Sequence, residues 1–278
     1  MPVAINLRVP AKLNTFLHIT GRRSDGYHTL QTVFRAINLY DELALTLLSS
    51  SEITRRIGPS DVSAEADLCV RAAQLVKAHT QYPGGVDIAL YKKIPLGAGM
   101  GGGSSDAAGV LLGLNQLWQL KLSAIELAAL ALKLGADVPF FLKGGDQWAQ
   151  GIGELLMPIA LAPSHYVIVH TGQHCATAEL FSAPTLKRDC LPISIEQVQA
   201  GIATCNVFEP LVLARYPEIA SAHQWLSGQA GNARLTGSGG ALFATVPDHT
   251  AAMRIKSACP APWQAWFARS LGNPSICA

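Results

Sequence analysis

A chain of 278 residues, 49% hydrophobic and 14% charged, carries enough apolar material for one large core or two ordinary ones, which excludes a disordered protein. With 21 basic against 19 acidic residues the formal net charge is only +2, and the basic stripe that marks a nucleic-acid binder is missing. No apolar run approaches the roughly 18 residues of a membrane span, and MPVAINLRVPAKLN has no apolar leader, so no signal peptide is read and neither nucleic acid nor membrane is an expected partner.

In chain order, AINLRVPAKLNTFLHIT reads as early strands and VFRAINLYDELALTLL as a further strand pair. DLCVRAAQLVKAHT puts Leu68, Ala72, Leu75 and Val76 on one helical face, with Asp67 placed to cap it. VDIALYKKIP is a strand that leads into a glycine loop, and DAAGVLLGLNQLW beyond the loop is a helix. SAIELAALALKLG is a stronger helix, with Ser123 and Glu126 as a capping box and Gly135 as its stop. A second half opens near LLMPIALAPSHYVIVH, where Pro158 and Pro163 flank a new strand. It continues through IEQVQAGIATCNVFEPLVLARYPEIASAHQWLS, a largely helical stretch broken at Pro210 and Pro217. ARLTGSGGALFATV, a helical HTAAMRIKSA and a strand WQAWFARSL close the chain. Mixed elements in two halves predict an α+β protein of two lobes, residues 1–157 and 158–278, with a cleft between them.

Cysteines at 69, 175, 190, 205, 259 and 277 form no CxxC pair and read as reduced thiols in a cytoplasm. His170 and His174 in HTGQH have metal-like spacing. They lack the Glu of a zinc-protease helix and enclose a glycine, so no metal site is expected there.

Five glycines occupy the seven positions from Gly97 to Gly103, between a strand and a helix. A structural turn needs one or two. A run of them lets backbone N–H groups and a helix N-terminus approach an anion with no Cβ in the way, and Ser104 and Ser105 add hydroxyls. No lysine follows, so this is not a Walker loop. Gly97, Gly99 and Gly102 do satisfy GxGxxG, but the loop lies a third of the way along the chain and Glu126 sits on a helix. A dinucleotide enzyme is therefore the weaker reading of the pattern.

Two more segments bear on the choice. PAKLN, residues 10–14, sets a lysine among strand residues, and LTGSGGALF, residues 235–243, is a second glycine turn before a strand. With PLGAGMGGGSS they resemble, in order, the three motifs of the galactokinase–homoserine kinase–mevalonate kinase superfamily. More narrowly, PAKLNTFLHITGRRSDGYHTLQTVF, GGGSSDAA and GADVPFFL are similar to the diphosphocytidyl-methylerythritol kinase family, over nearly the whole chain. The resemblance implies an N-terminal lobe like the second domain of ribosomal protein S5 and a ferredoxin-like C-terminal lobe. It implies ATP-dependent phosphorylation of the 2-hydroxyl of 4-diphosphocytidyl-2-C-methyl-D-erythritol, with Mg2+ accompanying ATP, by a monomer or weak homodimer. A homoserine- or mevalonate-type kinase of the same superfamily is the alternative, and a non-catalytic binding module on this fold a third.

The same resemblance assigns residues. Asp137 becomes the general base and Lys12 its partner, which also stabilises the transferred phosphoryl charge. On its own, an aspartate in GADVP reads as a turn residue at a helix end, before a proline that stops the helix. A lysine within VPAKLNTFLHI is costly unless partnered. Pro95, Leu96, Gly97, Ala98, Gly99, Met100, Gly101, Gly102, Gly103, Ser104 and Ser105 match the ATP-phosphate loop, and Lys92 and Asp67 fall where the family contacts adenine. Asp67 departs from the Asn common in relatives, and Thr236 from a more usual serine. For the substrate, Tyr27 and Phe181 would sandwich cytosine and His28 meet its polar edge, while Asn14, Phe34, Thr177 and Asp137 match further substrate-contacting positions. As isolated residues these aromatics are more often core than ligand.

Overall fold

The computed structural model describes residues 3–60, 62–272, 276 and 277. Two long antiparallel strands, β1 (Ala4–Arg22) and β2 (His28–Leu48), open the chain. Each expected set of strands is thus one continuous strand. Register shifts at Pro10/Ala11, Asn14/Leu17 and Ile19/Gly21 bend the ladder without ending it. β3 (Ile53–Ile57), α1 (Leu68–Thr80) and β4 (Gly85–Tyr91) follow, and Asp67 caps α1 by accepting the Cys69 N–H at 2.7 Å.

α2 (Gly102–Leu117) begins at Gly102, not at Asp106. Its N-cap is Gly101, at φ 69°, so two of the loop glycines and both serines already form its first turn. In α3 (Ala124–Leu134) both halves of the Ser123–Glu126 capping box form. Pro139 opens a new helix, α4 (Val138–Lys143), where a stop was expected, because a proline in a helix's first turn has no needed N–H to withhold. β5 (Asp146–Gln150) and β6 (Leu155–Pro158) complete a six-stranded sheet in the order β3-β4-β2-β5-β6, with β1 on β2. α1 to α4 cover one face of it around a core that includes Val9, Leu43, Leu111 and Phe140.

Beyond Pro163 come β7 (His165–His170), α5 (Thr177–Ser182), α6 (Ile195–Gln199), α7 (Glu209–Arg215), α8 (Pro217–Ala230), β8 (Arg234–Leu235), β9 (Ala241–Val246), α9 (His249–Ser257) and β10 (Gln264–Arg269). The helical stretch is interrupted just ahead of Pro210 and Pro217, as expected, and each proline then sits in the first turn of the next helix, α7 or α8. The four strands pair antiparallel in the order β10-β7-β9-β8, which is the fourth, first, third and second strand of a ferredoxin-like split βαβ unit. One face of this sheet, with Ile168, Phe243 and Ala268, packs on Ala11, Leu13 and Ile37 of the hairpin and on Ala98 and Met100 of the glycine loop. All six cysteines are free thiols, and among the described residues no helix is long and apolar enough to cross a membrane.

α2 lies close against the hairpin through glycines. A Cβ at Gly109 would meet Val9 Cγ1 at 2.5 Å, and one at Gly113 would meet Leu45 Cδ1 at 2.5 Å. Gly109→Val should therefore lower the urea-unfolding free energy by about 1–3 kcal/mol through overpacking. Gly228 in α8 has no neighbour within 4 Å of its would-be Cβ. Gly228→Ala should instead add about 0.5–1 kcal/mol. Equal effects from the two would refute close packing at α2.

Candidate active site

Lys12 sits midway along β1, 3% exposed, and its ammonium group donates to Asn14 Oδ1. It lies 3.5 Å from Asp137 Oδ2 and 5.1 Å from the centre of the Phe34 ring. Burial pulls the Lys12 pKa below its ordinary value, and the Asp137 charge opposes that pull. Asn14 is held in turn: its Nδ2 donates to Thr32 Oγ1 at 2.9 Å, and its backbone N–H donates to Thr236 Oγ1 at 2.9 Å. Asp137 stands at the N-cap of α4 with its side chain 35% exposed, so this carboxylate borders solvent while the lysine does not. A buried cation thus lies within ion-pair distance of a carboxylate that borders solvent.

Both glycine turns close around this pair. The Lys12 N–H donates to Met100 O at 2.9 Å, and the Ala241 N–H donates to Ala98 O at 3.1 Å. A Cβ at Gly99 would lie 2.4 Å from Thr236 O, and one at Gly240 2.8 Å from Gly97 O. A Cβ at Gly97 would strike the His174 ring, and one at Gly101 would meet Phe141 and Lys12. Most of the loop glycines are therefore required by the protein's own packing, and Gly97, Gly99 and Gly101 also have positive φ. Gly103 differs: its Cβ would meet only Leu68, at 3.5 Å.

A cavity of about 320 Å3 holds Lys12, Asn14, Phe34, Gly99, Gly101, Asp137, Thr177 and Phe181 on its walls. It shares Leu30, Ala136, Ile152 and Phe181 with a larger one, of about 510 Å3, lined by Tyr27 and His28. Tyr27 is 60% exposed at the end of the β1–β2 hairpin, its N–H donating to Asp25 Oδ1. The Phe181 ring stacks on His28 with centroids 5.2 Å apart and packs edge-on against Phe208. Thr177 and Ser238 join their hydroxyls at 2.6 Å on the wall of the smaller cavity. Phe34 is buried against Phe140, so only part of its ring reaches the cavity.

A third cavity, of about 220 Å3, adjoins the other side of the loop and is bordered by Asp67, Lys92, Leu96, Gly103 and Asp106. Both Asp67 oxygens are engaged, one with the Cys69 N–H and one with Arg55. Lys92 is engaged as well, with Asp41 and with Asp106 at 2.7 Å. Burial lowers the Lys92 pKa, but the two carboxylates outweigh burial and raise it. Asp106 is pushed up to about 8, by burial first and by the Asp41 charge, against the pull of Lys92. Asp41 and Asp106 escaped the sequence reading, although an acid inside INLYDELAL carries the same signal as a lysine inside VPAKLNTFLHI: a charge flanked by apolar residues.

The GHMP kinases N terminal domain family matches residues 67–145, and the GHMP kinases C terminal family matches residues 188–265. The chain is 47% identical over 272 residues to the 4-diphosphocytidyl-2-C-methyl-D-erythritol kinase of Paraburkholderia xenovorans, covering 94% of this chain and 92% of that one. It is 47% identical over 262 residues to the protein of the same name from Aromatoleum aromaticum, again covering 94% and 92%. A crystal structure of 4-(cytidine 5'-diphospho)-2C-methyl-D-erythritol kinase superposes with a TM-score of 0.84 at 34% identity, over 97% of this chain and all of the other. A mevalonate kinase structure superposes at 0.72 and 15% identity, a likeness of fold alone.

The loop geometry separates two kinds of glycine. Gly99→Ala should lower Tm whether or not nucleotide is present. Gly103→Val should keep Tm within about 2 °C yet weaken ADP binding by about tenfold or more, because its side chain would enter the cavity at the first turn of α2 with only Leu68 near its Cβ. Calorimetry with unchanged ADP affinity in Gly103→Val would remove the anion-cradle reading. The buried triad gives a pH signature. Asp106 keeps its proton up to about pH 8 when folded but only to the ordinary aspartate range when unfolded, so the folded state is the better proton binder in between. Stability then falls as pH rises from about 4 to about 8. Thermal melts should show wild type losing Tm relative to Asp106→Asn across that window, and parallel curves would refute the raised pKa.

Proposed function

The chain belongs to the GHMP kinases and, within them, to the 4-diphosphocytidyl-2-C-methyl-D-erythritol kinase family, and from that premise we propose how its cleft works. The enzyme transfers the γ-phosphoryl group of ATP to the 2-hydroxyl of 4-diphosphocytidyl-2-C-methyl-D-erythritol, a step of non-mevalonate isoprenoid precursor synthesis, and releases ADP. The supporting observation is the Lys12–Asp137 pair at 3.5 Å, set between the Tyr27–His28 cavity and the glycine loop.

Asp137, the accessible partner, takes the hydroxyl proton as the oxygen forms its bond to phosphorus and the bond from the γ-phosphorus to the ADP oxygen breaks. Lys12, fixed by Asn14, pairs with Asp137 and stabilises charge on the transferred group. The segment from Pro95 to Ser105 cradles the phosphates with backbone N–H groups at the start of α2. Adenine occupies the cavity beside Asp67 and Lys92, cytosine lies between Tyr27 and Phe181 with His28 at its edge, and Asn14, Phe34 and Thr177 line the path of the erythritol chain.

The donor set fits a magnesium ion brought by the nucleotide. Ser105 Oγ, near the start of α2, is buried with no hydrogen-bond partner and would be a protein oxygen for it, since such ions combine one or two protein oxygens with substrate phosphates. Bound there, the ion would neutralise phosphate charge. Residues 1–157 form the nucleotide lobe and 158–278 the lobe that completes the substrate cleft, in a cytoplasmic monomer or weak homodimer.

Asp137→Asn should cut kcat by roughly 10²–10⁴-fold with ATP affinity largely retained. An ADP-release assay on the cytidyl diphosphate alcohol, homoserine and mevalonate tests the rest, and turnover should be confined to the first. Use of mevalonate or homoserine in its place would move the chain to a sister activity, and near-normal turnover in Asp137→Asn would unseat the base.

A further inference from the structure

Arg188 lies in the segment after α5, and each arm of its guanidinium is committed. Nε donates to His28 Nε2 at 2.9 Å, one terminal nitrogen to Leu186 O at 2.9 Å, and the other to Phe181 O and Ala183 O, both at 2.8 Å. The carbonyls of Phe181 and Ala183 belong to the end of α5, so one side chain ties that helix end to the first residue of β2. Both tied residues, His28 and Phe181, line the 510 Å3 cavity, and their rings stack on each other.

An arginine does not deprotonate in a protein and has no acceptor, so His28 Nε2 must present its lone pair to it. A neutral imidazole carries one proton, which is then on Nδ1. Protonating Nε2 would set two N–H groups against each other and break the contact. We propose that Arg188 is a positioning residue for base recognition: it locks His28 as the neutral Nδ1–H tautomer, which makes the ring an obligate hydrogen-bond donor toward a pyrimidine edge. Nδ1 has no protein partner among the described residues and is left for a ligand.

The chemistry of that donor selects the base. Cytosine offers adjacent acceptors at O2 and N3, whereas uracil carries a hydrogen on N3 and would oppose a donor there. The lock also moves protonation of the ring to lower pH. Burial, then Arg188 and Arg22, push the His28 pKa below its ordinary value. Arg22 at the end of β1 adds repulsion, while Arg23 and Asp25 in the hairpin turn are paired with each other at 2.7 Å.

The base assignment rests on the proposed cytidyl substrate, but the tautomer lock does not, and the test separates them. In the free protein, long-range 15N–1H spectra of labelled histidine, with His28→Gln for assignment, should give an Nδ1–H signature and a titration midpoint below about 6.5. In Arg188→Met the midpoint should move up and the Nε2–H tautomer should appear. The same variant should raise KM for the cytidyl acceptor by about 5–50-fold with kcat and the KM for ATP nearly unchanged, and the penalty should grow below about pH 7 as the ring protonates. Should Arg188→Met fail to fold, Arg188→Lys keeps the charge but cannot reach all four acceptors, and the same tautomer mixing is expected. An Nε2–H signature in wild type, or identical titrations in wild type and variant, would overturn the lock. A shifted tautomer with an unchanged acceptor KM would overturn its part in recognition. Wild type that ignores the cytidyl acceptor altogether would instead refute the proposed function and leave the spectra standing.

Discussion

A single ammonium group buried midway along β1 sets terms that the surrounding structure has to meet. An isolated charge removed from water is strongly unfavourable, so Lys12 must find an acceptor, an opposite charge and a polarisable face close by. Asn14, Asp137 and the Phe34 ring supply these, and each belongs to an element whose placement is then constrained. Asn14 reaches across to Thr32 on β2 and Thr236 before β9, so satisfying one lysine draws strands of both sheets to one point. The glycine turns follow from the same convergence: with β1 and the start of β9 this close, their backbones pass at distances that leave no room for a Cβ.

The apolar layer between the sheets makes this geometry rigid. Leu13 and Ala11 alternate with Lys12 and Asn14 along β1, so one face of the strand presents the polar pair while the other seals against Ile168 and Phe243. Removing a methyl group from that layer would be felt at Lys12, since interiors pack at crystal-like density and transmit displacement.

Much of this was legible in the sequence. The capping box of α3, the Asp67 cap and the strand feeding the glycine loop depend on neighbours a few residues away, and all three form as read. Pro139 reads as a stop but sits in the first turn of α4, just as Pro210 and Pro217 sit in those of α7 and α8. A proline forbids the helix interior but favours the first turn, and which applies depends on where the preceding helix ends. The glycine run reads in the sequence as a phosphate cradle, and that pattern says nothing of the packing it also serves. Its contacts with His174, Thr236 and Gly239 join segments far apart in the chain, and no local pattern announces them. Arg188 is the extreme case, an ordinary basic residue in TLKRDC whose partners lie on α5 and at the start of β2.

Two buried lysines show how environment, not residue type, divides labour in this cleft. Lys92 stands between two carboxylates, Asp41 at 0% exposure and Asp106 at 2%, and its pKa is raised. Lys12 faces one carboxylate that is itself partly in water, and its pKa is lowered. A lysine saturated by buried acids has no interaction left to strengthen during a reaction. Its charge, just past the end of β4, joins Asp41 of β2 and Asp106 in the second turn of α2. A lysine whose desolvation is only partly compensated gains most when new negative charge develops beside it, which is the condition for lowering a barrier and not merely binding a ground state. In the mechanism proposed above, the incomplete pairing of Lys12 is the feature that would turn a well-packed junction of two sheets into a site for phosphoryl transfer.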